Sequence, residues 1–394
     1  MSYSYWQDQT TRSSQSFSHY DMVVIGGGIS GLSAAYWLKK EDPSLKIALL
    51  EKGEIASGAT GRNAGFITCG SVEHFNRLVE RWGESRAKEI WMFSETNLEL
   101  LKSELFAQLS SEDLGELGFE EKGSFSLAST DSEFAELKKT AELMAHQGIE
   151  VETLSSTEVE QRVGGVQFSG GIKYIRDASI HPVKLCHLLQ NATPIDYFPH
   201  HEVSFIEAEG DHRRVRTNKQ DFMADVVVLA GNGYLPLLDS FFADKVFPTR
   251  GQILAIEPVP SFMEGPCYAN FVLDYFRQLP NGVMLIGGFR QLEKVTEVGY
   301  SDHTTDVIQQ ALYEFLQTHI PQLSGKKVTH RWAGIMGFSV DGQPFVGAKA
   351  DDPQIFYLGG FTAHGLGLAF HSGKCLTDLM FGRTLPEFIS GRRF

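Results

Sequence analysis

The stretch from Asp21 to Glu51 constrains this chain more than any other. Met22-Val23-Val24-Ile25 is continuous, apolar and rich in β-branched residues, and it stops at Gly26-Gly27-Gly28-Ile29-Ser30-Gly31. Leu32, Ala34, Ala35 and Leu38 then recur at helical spacing, so the pattern predicts a strand, a turn and a helix. Gly26 permits the tight turn, Gly28 lets a backbone approach a pyrophosphate with no Cβ between, and Gly31 lets the helix pack close to the strand. The first helical N–H groups, at Ile29 and Ser30, and the positive end of the helix dipole would face a diphosphate. Asp42-Pro43 ends the helix, and Ile47-Ala48-Leu49-Leu50 predicts a second buried strand. Glu51 closes it, where a carboxylate accepts both hydroxyls of an adenosine ribose. A glycine pattern alone also occurs in ordinary turns. Strand, glycines, helix, strand and terminal acid in this order predict a dinucleotide site, the alternative being a βαβ unit that has lost its ligand.

With 394 residues the chain can bury a large core or fold as two domains. Its formal charge of −14 disfavours binding to nucleic acid or to an anionic membrane, because phosphates would be repelled. Cys69, Cys186, Cys267 and Cys375 show no C-x-x-C spacing, so reduced, buried thiols are expected and a metal site is not. The first twenty residues are polar and lack the apolar core of a signal peptide, and no apolar run is long enough for a membrane helix. A cytoplasmic location is the default expectation.

A polar, glycine-rich loop runs on from the acid: Glu51-Lys52-Gly53-Glu54-Ile55-Ala56-Ser57-Gly58-Ala59-Thr60-Gly61-Arg62-Asn63-Ala64-Gly65-Phe66. A simple NAD domain would go straight to its next helix, so FAD is favoured. On these residues the chain resembles the D-amino-acid-oxidase-like superfamily of flavin amine oxidases, which includes glycine, sarcosine and γ-glutamylputrescine oxidases. The resemblance implies that Lys52, Ser57, Gly58, Ala59, Thr60, Arg62, Asn63, Ala64, Gly65 and Phe66 thread between the pyrophosphate and the flavin ring. Ser4-Tyr5-Trp6 also resembles an N-terminal tripeptide of γ-glutamylputrescine-oxidase-like members, and an aromatic anchor for the tail explains it equally well.

Two further blocks follow in the superfamily's order. Asp225-Val226-Val227-Val228-Leu229-Ala230-Gly231 predicts a strand buried on both faces whose small end, Ala230 and Gly231, can approach a cofactor. Val203 lies in a strand that the resemblance sets beside adenine. The third block is Arg331-Trp332-Ala333-Gly334-Ile335-Met336, followed by Gly359-Gly360-Phe361-Thr362-Ala363-His364-Gly365-Leu366-Gly367 and a helix through Met380, a second helix N-terminus offered to a ligand. Between the blocks, helices are predicted over 84–105, 131–147 and 304–318, with a capping box at Ser155 and Glu158 and a helix opened by His181-Pro182. Strands are predicted at 123–128, 172–175, 247–257, 269–277 and 283–288, the last two joined by Pro280-Asn281-Gly282. The expected fold is α/β: a Rossmann-type FAD-binding domain (1–115, 178–240, 335–394) interleaved with a mainly antiparallel substrate domain (116–177, 241–334).

The resemblance implies oxidation of an amine, with noncovalent FAD accepting a hydride from the α-carbon and dioxygen or another acceptor reoxidising it. Arg62, Asn63, Gly65 and Phe66 would border the isoalloxazine, and Trp332, Met336, Phe361 and His364 the substrate side. Three positions depart from the superfamily pattern. Met336 stands where glycine-oxidase-like members carry an arginine for the substrate carboxylate, leaving Arg277 or Arg290 as candidates if they point inward. No cysteine lies near Trp332 for a covalent flavin link. Gly367 stands where sarcosine-oxidase-like members place a lysine that speeds reaction with oxygen, so a dehydrogenase is the alternative. A tRNA-modifying oxidase module and a noncatalytic binding protein on the same fold are the remaining rivals.

Overall fold

The computed structural model describes residues 18–70, 72–270 and 274–394, so Ser4-Tyr5-Trp6 and Leu273 lie outside the described residues. Strands β1 (Ser18–Ile25) and β2 (Ile47–Leu50) run parallel on either side of α1 (Ile29–Glu41), as expected from Asp21 to Glu51. A Cβ on Gly31 would lie 1.9 Å from the Gly26 carbonyl oxygen, so only glycine lets α1 sit this close to its strand. The Asp42 N–H closes the helix on the Leu38 carbonyl, while its carboxylate turns away to Ser44.

The chain continues through β3 (Phe66–Ile67), α2 (Val72–Trp82) and α3 (Glu84–Leu101), the last prolonged by a π-helical turn, Lys102–Phe106. Next come β4 (Ser124–Ala128), α4 (Asp131–His146), β5 (Val151–Ser155), α5 (Ser156–Val163), β6 (Gly170–Tyr174) and β7 (Ala178–Ser179). Both halves of the Ser155–Glu158 capping box form. Helix α6 (Pro182–Ala192) opens with His181 as its cap, the imidazole accepting the Lys184 N–H. Then follow β8 (Asp196–Phe198), β9 (Val203–Glu209), β10 (His212–Thr217), β11 (Asp221–Leu229) and β12 (Val246–Ile256). The remainder is β13 (Cys267–Ala269), β14 (Asp274–Gln278), β15 (Met284–Gly287), α7 (Asp306–His319), β16 (Val328–Ser339), β17 (Phe345–Ala348), β18 (Ile355–Gly359) and α8 (Gly365–Met380).

Two eight-stranded sheets result. The first runs β17-β18-β11-β1-β2-β8, with β10 and β9 carried on β11; β11, β1, β2 and β8 are parallel, as is β18 to β11. The second runs β16-β12-β15-β14-β13-β4-β6-β5 and is antiparallel except where β4 meets β13. The chain enters the second sheet twice, which is why no linker separates two domains in the sequence.

One expectation changes in detail. Residues 269–277 are not one strand but the facing ends of β13 and β14, with Ala269 opposite Asp274. Strand β4 shows no exposed face, because Phe125 and Leu127 enter the core beneath α7 while Ser124 and Ser126 are buried on the other side. There the hydroxyls bond Asp177 and Tyr174, so small polar side chains are buried without losing their partners.

Candidate active site

A cavity of about 400 Å³ starts at the carboxyl ends of β1 and β2 and ends beneath the second sheet. At the first end Glu51 is almost fully buried. One carboxylate oxygen accepts the Gly27 N–H at 2.8 Å and the other accepts the Gly53 N–H at 2.8 Å, so backbone donors fix its direction. Lys52 and Val203 line the same end, the Lys52 ammonium lying 3.7 Å from the centre of the Tyr234 ring. Gly26, Gly28, Ile29 and Ser30 come next, with Ala230 and Gly231 across from them. Gly26 takes φ +119°, and a Cβ there would meet the Ala230 carbonyl oxygen at 2.8 Å. Gly31 does not line the cavity; its role is the packing of α1.

The glycine-rich loop divides between two tasks. Gly58, Ala59, Thr60, Asn63, Ala64 and Phe66 line the main cavity, and Thr60 Oγ1 accepts the Ile29 N–H at 3.1 Å. The Asn63 side chain is bound within its own loop, donating to the Ala59 and Thr60 carbonyls and accepting from the Gly65 N–H. Ser57 and Arg62 instead line a smaller adjoining cleft with Asp302. Arg62 donates to the Ser57 and Ala333 carbonyls, at 3.0 and 2.9 Å, and Trp332 Nε1 donates to the Arg62 carbonyl. Arg62 and Trp332 form a clasp between the loop and β16, and neither lines the main cavity. Gly334 makes this clasp possible, since a Cβ there would lie 2.8 Å from Arg62 Cβ. Gly65, at φ +80°, likewise leaves no room for a side chain beside the Ile180 carbonyl.

At the far end Phe361, Thr362, Ala363, His364, Gly365 and Leu366 bring the N-terminus of α8 to the cavity. Gly360, Thr362 and Ala363 all have positive φ, a costly conformation for the last two that the surrounding contacts must hold. The Thr362 N–H supplies one such contact, donating to the Gly337 carbonyl at 3.0 Å. His364 Nδ1 lies 2.7 Å from the Thr362 carbonyl, which makes Nδ1 the protonated nitrogen. Burial, with the nearby charges of Arg77 and Arg290, pushes its pKa down to about 4, so the ring is neutral at physiological pH. Gly367 lies outside the cavity: a Cβ would meet the Thr68 carbonyl oxygen at 2.0 Å, so this backbone cannot carry a lysine there.

The roof supplies residues that the sequence alone did not single out. Tyr268 and Tyr275 stand edge-on to Phe66, with ring centroids 5.2 and 6.0 Å away. Met336 lines the cavity and packs against Gly251. Of the two arginines considered for a carboxylate, Arg290 lines the cavity and Arg277 does not. Phe289 precedes Arg290 in the left-handed conformation, and the buried Asp274 accepts its N–H at 2.6 Å; that turn delivers the guanidinium 4.5 Å above the Phe338 ring. Arg277 is buried and donates to the Ala64 and Gly65 carbonyls at 3.3 and 3.2 Å, which makes it a support for the loop. Arg77 on α2 also lines the cavity, and nothing in its sequence surroundings marks it.

The cavity fits an elongated flavin dinucleotide. Glu51 would hold the ribose, the N-termini of α1 and α8 would meet the diphosphate and the flavin, and Phe66, Tyr268 and Tyr275 would leave a flat apolar space at the reacting end. A βαβ nucleotide cradle opening beneath an antiparallel aromatic roof defines a flavin-dependent oxidoreductase. The FAD dependent oxidoreductase family, DAO, matches residues 21–379, and the chain belongs to it; its cofactor is FAD. Gamma-glutamylputrescine oxidoreductase of Escherichia coli (strain K12) is 24% identical over 375 residues, which cover 92% of this chain and 84% of that protein. Glycine oxidase of Bacillus subtilis (strain 168) is 24% identical over 377 residues, 94% of this chain and 95% of that one. The crystal structure of glycine oxidase from Geobacillus kaustophilus shares the fold with a TM-score of 0.79 at 21% identity, covering 93% of this chain and 96% of that chain. Among the described residues no helix is long and apolar enough to cross a membrane.

Proposed function

We propose that the chain oxidises the carbon–nitrogen bond of an amine that also carries an anionic group, a γ-glutamylputrescine-like compound being the model, with Arg290 and Arg77 holding the anion. The observation that carries this reading is Arg290 in the wall of a cavity whose position 336 is methionine. The only carboxylates among the described lining residues, Glu51 and Glu202, sit at the adenosine end. Two guanidinium groups at the reacting end disfavour an ammonium ion and favour the neutral amine, the form whose lone pair can assist loss of hydride. His364, neutral and with Nε2 as its unprotonated nitrogen, can take a hydrogen bond from that amine. Bound FAD supplies the two-electron acceptor, so the protein needs to bind, orient and exclude water.

Phe66, Tyr268, Tyr275 and Met336 would exclude water, and an arginine–carboxylate contact would orient the substrate at roughly 1.5–3 kcal/mol. The imine formed would hydrolyse to an aldehyde or oxo acid, with dioxygen reduced to hydrogen peroxide. A dehydrogenase passing electrons to a carrier is the second reading, favoured by the packing that forbids a lysine at 367. In this reading the first sheet carries FAD, the second covers the substrate, and the four buried thiols suit a cytoplasmic location. The test is oxygen uptake, peroxide formation and dye reduction with polyamines, γ-glutamylated amines, N-methyl amino acids and D-amino acids. Turnover of amines bearing a carboxylate, and not of plain polyamines, is expected. Exclusive turnover of uncharged amines or plain polyamines would overturn the reading.

A further inference from the structure

The amino end of the parallel sheet, remote from the cavity, carries a second constellation. Strand β1 rises from His19 to Ile25 at the cavity, about 20 Å at the usual strand rise. At its start His19 meets Asp225 of β11 and His212 of β10, on the two strands that follow on that side of the sheet. His19 Nε2 lies 3.0 Å from Asp225 Oδ1, His212 Nδ1 lies 2.7 Å from the same oxygen, and the two nitrogens are 3.5 Å apart.

These separations suit a metal ion. The triangle they define has a circumradius of about 1.8 Å, so an ion about 2.0–2.1 Å from all three atoms would sit about 1 Å out of their plane. Cis ligands around a tetrahedral or octahedral ion of that bond length stand roughly 2.9–3.4 Å apart, a range that contains the 3.0 Å separation and comes within about 0.2 Å of the other two, 2.7 and 3.5 Å. All three side chains are nearly half exposed, so an ion can enter and water can complete its coordination. The neighbouring cations are engaged elsewhere: Lys46 donates to the His19 carbonyl and covers the Tyr20 ring, and Arg213 forms a bidentate pair with Asp352.

We infer that His19, His212 and Asp225 form a binding site for a borderline divalent transition ion, zinc being the best match to two imidazoles and one carboxylate. Its effect is structural. The ion ties β1 to the β10–β11 hairpin across 193 residues of sequence, and it binds the folded chain in preference to the unfolded one.

The test uses chelator-treated, FAD-loaded protein titrated with zinc sulfate, with magnesium as the hard-cation control. One zinc per chain and a rise in melting temperature are expected, with no response to magnesium. His19→Ala, His212→Ala and Asp225→Asn should each weaken zinc binding at least about tenfold, roughly the loss of one ligand. Flavin absorbance verifies that each variant is folded. Anomalous diffraction at the zinc edge should place the ion among the three side chains. Absence of any zinc response up to about 1 mM, zinc affinity unchanged within about twofold in the His19→Ala/His212→Ala double variant, or an anomalous peak elsewhere would each overturn the assignment.

Discussion

The two ends of the cavity are built by different rules. At the nucleotide end the lining is largely backbone and glycine, with the Glu51 carboxylate fixed by backbone donors, and it comes mostly from short segments: Gly26 to Ser30, Glu51 to Thr60, His201 to Val203, Ala230 and Gly231. At the reacting end the walls are long side chains from remote parts of the chain, with Arg77, Tyr268, Tyr275, Arg290 and Met336 meeting around the N-terminus of α8. Backbone recognition leaves little freedom, since the ligand's diphosphate and ribose do not change. Side-chain recognition leaves the scaffold intact while the substrate changes. The contrast leaves room for the reacting end to be rebuilt on a fold that matches glycine oxidase at a TM-score of 0.79.

The sharpest way to break the nucleotide end is Gly31→Ala. Its Cβ has no space beside the Gly26 carbonyl, so α1 must shift; a loss of roughly 3 kcal/mol or more is expected, read as a lowered urea midpoint and colourless protein. Glu51→Ala removes the acceptor for the Gly27 and Gly53 N–H groups as well as the ribose partner. FAD affinity should fall about 100-fold or more, measured by quenching of flavin fluorescence. At the other end Arg290→Met should leave FAD affinity unchanged and lower kcat/KM for carboxylate-bearing amines by about tenfold or more, chiefly through KM. A loss of FAD instead would mean that the two ends are not separable in this way.

The smallest effect belongs to the buried carboxyl beneath the roof. Burial raises the Asp177 pKa to about 8, against the hydrogen bond from Ser124. The folded chain then binds a proton there that the unfolded chain has released. Stability from this group is full below about pH 4, the unfolded value, and is lost as pH rises through about 8. Asp177→Asn keeps an uncharged partner for Ser124 and should flatten that decline, raising stability at pH 8 by on the order of 1 kcal/mol in urea melts. An unchanged slope between pH 5 and pH 8 would contradict it.

This asymmetry also governs what could be read from the sequence. The nucleotide end was legible because its determinants are local: a turn needing glycine, a helix N-terminus, an acid at the end of a strand. The two sheets and most helix limits were legible for the same reason, through periodicity and caps such as Ser155 with Glu158. Adjacency in a motif does not say which side of β16 faces the cavity; hydrogen bonds to the Ala333 and Arg62 carbonyls tie Arg62 and Trp332 to each other's segments, and neither lines the main cavity. Arg277 and Arg290 could not be told apart, since the choice depends on the left-handed turn at Phe289 that Asp274 locks. Arg77 had no local mark at all. It belongs to the site only because α2 packs where it does.

The central claim, an anion clamp at the reacting end of an FAD cavity, is tested most directly without any mutation. Anaerobic bleaching of the flavin absorbance is followed with one reactive amine offered as its free carboxylate and as its methyl ester. The account predicts that the carboxylate reduces the flavin at least about tenfold more efficiently, because the ester offers Arg290 and Arg77 no charge. Equal or faster bleaching by the ester would contradict it.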